Sequence, residues 1–240
     1  MPGLFDLAFL IVISVGVPTY ELYVWWPRVR AAVLAGDRRA RVRWCRTMVA
    51  VQWGIAAIVV VSWLAMHRAW TDLGIAPITP WGVRASLALC TAACLLFGMQ
   101  ARRVARLDPQ RRATLEPRMG PSLFIFPRTP EEYRWFNGLS LTAGICEELF
   151  YRGFCVWALT PWLGLWGGAG LSALLFGLGH IYQGREGVVR ATLIGAALGL
   201  LALLVHSIVP GMVLHAIIDL GAFATAYALL RTESTPAVGS

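Results

Sequence analysis

Seven stretches of about 20 mostly apolar residues occupy most of the 240-residue chain, and their length constrains the fold more than any other feature. A helix needs about 20 such residues to cross the hydrocarbon of a bilayer. Charged residues make up 14% of the chain, against about 25% in an ordinary soluble domain. We therefore predict an all-α, polytopic integral membrane bundle of about seven helices, or eight if "PSLFIFP" (121–127) also enters the membrane. The predicted spans are 4–26, 47–67, 81–100, 136–159, 162–180, 188–206 and 208–230.

The distribution of arginine predicts how the bundle is oriented. The chain has no lysine, and 18 of its 21 basic residues fall in loops that seven crossings place on one side. Basic loops remain in the cytoplasm, so we predict an external N-terminus, a cytoplasmic C-terminus and a bacterial-type plasma (inner) membrane. This topology explains the net charge of +8 better than nucleic-acid binding does. The basic loops are 27–46, 101–135 and 181–190, and the tail 231–240 is predicted to be disordered.

The run "CEELFYRG" (146–153) places three charges inside an apolar helix. Each charge at mid-bilayer depth costs at least about 2.5 kcal/mol, and such residues usually face a bundle interior or a watery cavity. Glu148 and Arg152 are four residues apart and are predicted to pair on one face. Glu147 lies about 100° around the helix and is left free to face a cavity as a general base. The alternative is a structural ion cluster.

Two later motifs add imidazoles at membrane depth. His180 follows Phe176 by four residues in "FGLGH", and His215 precedes Asp219 by four in "HAIID". Asp219 is expected either to orient His215 or to hold water; alternatively, this His–Asp pair only ties helices together. The predicted catalytic residues are Glu147, His180, His215 and Asp219, supported by Glu148, Arg152 and Phe176.

The predicted spans place the two histidines at different depths. His180 falls near the cytoplasmic end of its span, and His215 falls toward the outer part of the last one. A single site therefore requires tilted or broken helices, and Pro210–Gly211 is the candidate break.

Two chemistries fit these residue types. Glu147, His180 and His215 could hold a divalent metal such as zinc with one open position, although no His-Glu-x-x-His motif is present. Without a metal, Glu147 assisted by His180 would activate water, while His215 and Asp219 would hold the oxyanion. An ionised Asp219 would repel an oxyanion, so it would have to be protonated, act through His215, or serve the water.

The three motifs together resemble the CPBP family of intramembrane proteases, which comprises CAAX proteases and bacteriocin-processing enzymes and is also called Abi. The motifs are Glu147-Glu148-x-x-x-Arg152, Phe176-x-x-x-His180 and His215-x-x-x-Asp219. The resemblance covers about 136–230 and implies a catalytic core there, preceded by a transmembrane region, 1–135, with basic cytoplasmic loops. It also implies a cavity open to the cytosol, water activation by Glu147 and His180, and oxyanion stabilisation by His215 and residue 219. Asp219 stands where the prenyl-tail proteases have Asn.

The leading hypothesis is an endopeptidase that cleaves a membrane-associated peptide of the CAAX or bacteriocin-leader type, with peptide and lipid bilayer as partners. A non-catalytic membrane scaffold or immunity protein that binds a peptide is the alternative. A proton-coupled transporter that uses Glu147 and Asp219 is a third hypothesis, disfavoured because no inverted repeat is evident. No oligomeric state follows from the sequence.

Overall fold

The computed structural model describes residues 1–231, apart from the side chain of Arg118. Within this range the regular structure is entirely helical, which confirms the predicted all-α bundle. A π-helical segment, Glu148–Cys155, lies inside the longest helical stretch, Pro130–Leu178. The helices are α1 Leu4–Leu34, α2 Ala40–Ala65, α3 Pro80–Ala105, α4 Pro109–Leu115, α5 Pro130–Glu147, α6 Val156–Leu178, α7 Gly184–Val205 and α8 Val209–Leu230.

Six helical segments are long and apolar enough to cross a membrane, and one of them turns back on itself. This segment, Pro130–Leu178, has 49 residues. At about 1.5 Å per residue it is more than twice as long as the hydrocarbon is thick. Gly164 breaks it with a φ of +67°, a conformation that glycine adopts without strain. The chain then returns beside itself, so the six segments contain seven helical rods, close to the predicted bundle of about seven helices.

Two contacts establish this reversal. A β-carbon at Gly168 would lie 3.3 Å from the carbonyl oxygen of Val156. The half of α6 that follows Gly164 therefore packs closely against the half that precedes it. The hydroxyl of Ser172 donates to the carbonyl of Tyr151 at 2.6 Å. The end of α6 therefore lies level with the π-helical segment.

Several predicted boundaries are wrong. The first span extends to Leu34 rather than residue 26, with π-helical turns at Val12–Gly16 and Glu21–Trp25. The break before the last span lies at 206–208, upstream of the expected Pro210–Gly211. Pro210 instead sits in the first turn of α8, where its missing N–H costs nothing.

The segment suspected of forming an eighth crossing does not span. It belongs to a 3₁₀ stretch, Glu116–Ile125, whose Phe124 ring lies 4.8 Å from Trp26 near the end of α1. The predicted disordered tail, 231–240, lies almost wholly outside the described residues.

The loops group at two ends as the arginine distribution predicts. At one end, Arg41 donates to the Phe124 carbonyl at 2.8 Å, and Trp26 lies 4.6 Å from Tyr182 in the turn before α7. At the other end, the amide of Ile208 donates to the carbonyl of Gly74 at 2.9 Å. The basic loops before α2, before α5 and before α7 therefore share one end of the bundle.

Close approach between α5 and α8 sets the geometry of the centre. A β-carbon at Gly144 would lie 2.6 Å from the carbonyl oxygen of Met212, so only glycine fits there. The same helix pair is held further along by Phe136 against Phe223, with ring centroids 4.7 Å apart. This packing brings the first half of α8 against the start of the π-helical segment.

Candidate active site

A buried carboxylate, Glu148, joins two of the predicted motifs. Its Oε1 accepts from Nη1 of Arg152 at 2.8 Å, which is the i, i+4 pair that the spacing predicts. The same oxygen contacts Nδ1 of His215 on α8 at 2.9 Å. Glu148 is fully buried and Arg152 and His215 nearly so, so this network ties α8 to the π-helical segment in a medium where hydrogen bonds are strong.

Arg152 also fixes the aromatic ring between the two histidines. Its guanidinium carbon lies 4.3 Å from the centroid of the Phe176 ring, a cation–π contact. A β-carbon at Gly195 on α7 would lie 3.0 Å from Nη2 of Arg152. The glycine thus leaves the room that the guanidinium occupies.

Glu147 points away from this network, into a cavity. Its Oε1 accepts from Nε2 of Gln52 on α2 at 2.7 Å. Its Oε2 lies 3.9 Å from Nε2 of His215, too far for a direct hydrogen bond but suited to a bridging water. Glu147 is therefore the one glutamate of the pair available for chemistry, as its position around the helix predicts.

His180 lies in the turn between two membrane-spanning segments, with one ring nitrogen engaged. Nδ1 lies 2.9 Å from the carbonyl oxygen of Phe176, so it must carry the proton and donate. Burial lowers the pKa of His180, because an imidazolium there would lose its water shell. The ring is therefore neutral at pH 7, and Nε2 is the nitrogen that can accept a proton.

His215 is oriented by a different carboxylate from the one its motif suggests. Asp219 Oδ2 lies 3.8 Å from Nε2 of His215, beyond hydrogen-bonding distance, whereas Glu148 holds Nδ1. The expectation that Asp219 orients His215 directly is therefore wrong. Nε2 of His215 faces two carboxylates, Glu147 and Asp219, across gaps of nearly 4 Å.

The two histidines lie at the same level, which removes the depth conflict of the sequence-derived spans. The Phe176 ring lies between them, 4.7 Å from His180 and 5.7 Å from His215 by ring centroids. The reversal at Gly164 explains this arrangement. The returning half of α6 is short, and His180 stops beside the middle of the long α5–π–α6 segment.

A cavity of about 180 Å³ adjoins these groups. Its polar lining includes Glu147, His180 and Asp219, together with Glu21 from α1 and Tyr182. In the part of the chain that the structure describes, no arginine lines it. The cavity therefore presents three carboxylates to whatever enters, with apolar and aromatic walls.

The residues proposed from the sequence as a metal set do not fit a metal in this arrangement. Among residues 1–231, no three His, Cys, Asp or Glu side chains are grouped so that they could hold an ion. Nδ1 of each histidine is engaged, that of His180 by a carbonyl and that of His215 by Glu148, which leaves Nε2 as the free nitrogen of each ring. No step below is routed through a metal.

Two cavity residues escaped the sequence reasoning because they lie outside the three motifs. Gln52 is the partner of Glu147, yet it lies in the predicted span 47–67, which contains no Asp, Glu, Lys or Arg. Glu21 lies in the predicted span 4–26, which contains none of the three motifs. A polar side chain inside an otherwise apolar helix was the available signal in both cases.

Comparison with known proteins confirms the resemblance over part of the chain. Residues 130–221 match the family described as type II CAAX prenyl endopeptidase Rce1-like. This segment includes every residue of the three motifs, and it supports peptidase activity of the CAAX type in general. No curated protein matched the chain, and no solved structure matched it.

Proposed function

We propose that this chain, whose residues 130–221 are similar to the Rce1-like endopeptidases, hydrolyses a peptide bond within the membrane by attack of an activated water. The observation that carries the proposal is the convergence of three helices. Glu147 and His180 line one cavity, and Nε2 of His215 lies 3.9 Å from the free oxygen of Glu147.

Water activation falls to Glu147 and His180. A water held by Oε2 of Glu147 loses a proton to that carboxylate as its oxygen attacks the peptide carbonyl carbon. Neutral His180, with Nε2 unprotonated, accepts a hydrogen bond from the same water and orients its lone pair. This arrangement supports general base catalysis without a covalent intermediate.

His215 is assigned to the oxyanion. With Nδ1–H donated to Glu148, an imidazolium at 215 offers Nε2–H to the oxygen of the tetrahedral intermediate. Asp219, 3.8 Å from Nε2, acts through His215 by favouring that charge rather than by contacting the oxyanion. The C–N bond then breaks, and the proton taken up by Glu147 passes to the leaving amine.

The lining of the cavity indicates the chemistry of the substrate. Of the residues that the structure describes, three carboxylates and no arginine face the space, so an acidic side chain next to the scissile bond would be repelled. The walls formed by Ile13, Phe150 and Phe223 suit apolar side chains. We therefore propose a membrane-associated peptide with apolar residues, and neutral or cationic ones, around the cleaved bond.

Access from the cytosol follows from the positions of the basic loops. The loops before α2, α5 and α7 share one end of the bundle, and Tyr182, in the turn that holds His180, contacts Trp26 on the side of the site that faces this end. Because positive loops stay in the cytoplasm, we place this end in the cytosol and the N-terminus outside. A peptide would then enter beside the turn before α7.

The first test uses a fluorogenic, farnesylated CAAX-tail peptide with purified protein in liposomes. Glu147→Gln and His180→Ala are expected to lower the rate of cleavage at least about 1,000-fold and 100-fold, respectively, because each removes a group that activates water. Both variants should fold, as judged by unchanged helicity and elution volume. Where the probe is not cleaved, membrane peptides from cells carrying the wild-type or Glu147→Gln chain supply the substrate.

Two outcomes would overturn the proposal. Cleavage by Glu147→Gln at the wild-type rate would remove the site assignment. Peptide binding that survives Glu147→Gln, with no turnover by the wild-type protein on any peptide, would favour a scaffold that only binds.

Hydrolysis is proposed to need no metal. Protein dialysed against a chelator should keep its full rate of cleavage and contain far less than one equivalent of zinc by elemental analysis. Loss of activity on chelation, restored by zinc, would contradict the mechanism.

A further inference from the structure

We propose that Gln52 on α2 is a positioning residue for Glu147, fixing which carboxylate oxygen faces the reacting water. This inference rests on the proposed hydrolysis. It adds a residue from the part of the chain that precedes the matched segment, 130–221.

The hydrogen bond between Gln52 and Glu147 makes the two oxygens of the carboxylate inequivalent. Nε2 of Gln52 donates to Oε1 of Glu147 at 2.7 Å, a short, charge-assisted distance. Oε2 is then the oxygen left facing Nε2 of His215 at 3.9 Å. Without the amide, the carboxylate could rotate and present either oxygen, or neither, to a water in that gap.

The other end of the amide shows what sets its orientation. Oε1 of Gln52 is buried and has no hydrogen-bond partner among the described residues. A buried unpaired acceptor is costly, and this amide keeps its orientation in spite of that cost. Its one hydrogen bond to a described residue is the one to Glu147, which points to a role toward the carboxylate rather than in packing α2.

A second hydrogen bond between α2 and α5 lies beside this one and supplies a matched control. Nε1 of Trp53, the next residue along α2, donates to Oγ1 of Thr142 on α5 at 3.3 Å. This bond joins the same two helices without touching Glu147. Removing it tests the helix interface and leaves the carboxylate alone.

The experiment compares Gln52→Met with Trp53→Phe in full-length protein, using the farnesylated peptide or the substrate found in cells. Gln52→Met keeps the length of the side chain and removes the donor. Its kcat is expected to fall about 10- to 100-fold, the usual cost of losing such an outer partner, with KM changed less than about threefold. Trp53→Phe should keep kcat within about twofold of wild type.

The variant Gln52→Glu adds a readout that a packing role would not move. Glutamic acid at 52 can donate only while the pair of carboxyl groups shares a proton. Its remaining activity should therefore fall at alkaline pH where the wild-type rate does not, while Gln52→Met stays low throughout.

The outcomes separate this inference from the proposed function. A wild-type kcat in Gln52→Met, or equal losses in Gln52→Met and Trp53→Phe, overturns the positioning role while Glu147→Gln remains inactive. Unchanged cleavage by Glu147→Gln, or no turnover by wild type on any peptide, overturns both.

Discussion

Among the described residues, two acid–arginine pairs contain a carboxylate with no solvent exposure, and only one of them leaves no buried polar atom without a partner. Near the end opposite the basic loops, Asp6 accepts from both Nη atoms of Arg68, at 2.9 and 2.7 Å. The amide of Gly3 donates to the same carboxylate at 2.7 Å. The guanidinium carbon lies over the rings of Trp157 and Trp63, at 4.3 and 5.1 Å. This pair is closed and rigid.

The second pair, Glu148 with Arg152, is left open. One oxygen of Glu148 serves both Arg152 and His215, whereas its other oxygen has no partner among the described residues. Nη2 of Arg152 has none either. A pair that only stabilised the fold would close these bonds, as Asp6 and Arg68 do. In the open pair, Oε1 of Glu148 also orients His215.

The closed pair should govern stability and nothing else. Arg68→Met leaves Asp6 buried without a counter-ion, so the free energy of unfolding should fall by about 3–5 kcal/mol. The kcat of the folded fraction should not change, because neither Asp6 nor Arg68 lines the active-site cavity. Titration with a denaturing detergent, followed by helicity, measures the first quantity.

A double replacement sharpens this test. Asp6→Asn together with Arg68→Met removes the buried charge as well as its partner, and should recover part of the lost stability. A loss below about 1 kcal/mol in Arg68→Met would show that this pair is not the stabilising element described above.

The open pair should govern catalysis more than stability. Glu148→Gln keeps the volume of the side chain but weakens its hold on Nδ1 of His215, so kcat should fall on the order of 100-fold. Stability should fall less than in Arg68→Met, since two polar atoms of the pair are already unpartnered. Steady-state cleavage and the same detergent titration compare the two variants.

The contrast between the pairs fails if the two variants behave alike. A Glu148→Gln protein that is destabilised as strongly as Arg68→Met, with an unchanged kcat once folded, would make both pairs structural.

The sequence could predict which residues converge in the site, but not which of them hydrogen-bond to each other. Spacing of four residues places Glu148 with Arg152, and Phe176 with His180, because such residues share a helix face whatever the tertiary packing. The partner of His215 depends instead on how α8 meets the π-helical segment, which the close approach at Gly144 decides. Local periodicity contains no such information. The sequence therefore offered Asp219 as one possible partner of His215, whereas the structure places Glu148 at that position.

The long helices were also predictable from local sequence, but the residues at which they end were not. Length and apolarity identify the apolar stretches that become the long helices, since both are properties of each stretch alone. Extension of α1 to Leu34 and the reversal at Gly164 depend on contacts with other elements, such as Phe124 against Trp26.

The smallest effect is expected from replacing Glu21, the third carboxylate of the cavity. This replacement tests whether Glu21 differs in role from Glu147 and Asp219. Within residues 1–231, Glu21 makes no hydrogen bond and no ion pair, and it reaches from α1 into the cavity that Glu147 and His180 also line. We expect it to select substrates by charge rather than to react. Changing one residue beside the scissile bond of the probe from Asp to Arg should raise kcat/KM more in wild type than in Glu21→Gln.

The difference should be about fivefold, the value of one partly exposed charge pair near 1 kcal/mol. Cleavage of a neutral probe should be equal in the two proteins, which controls for damage to the site. If Glu21→Gln discriminates between the Asp and Arg probes as strongly as wild type, the charge preference of the cavity must come from Glu147 and Asp219 alone. The three carboxylates would then divide into two that act in the reaction and one without influence on the substrate.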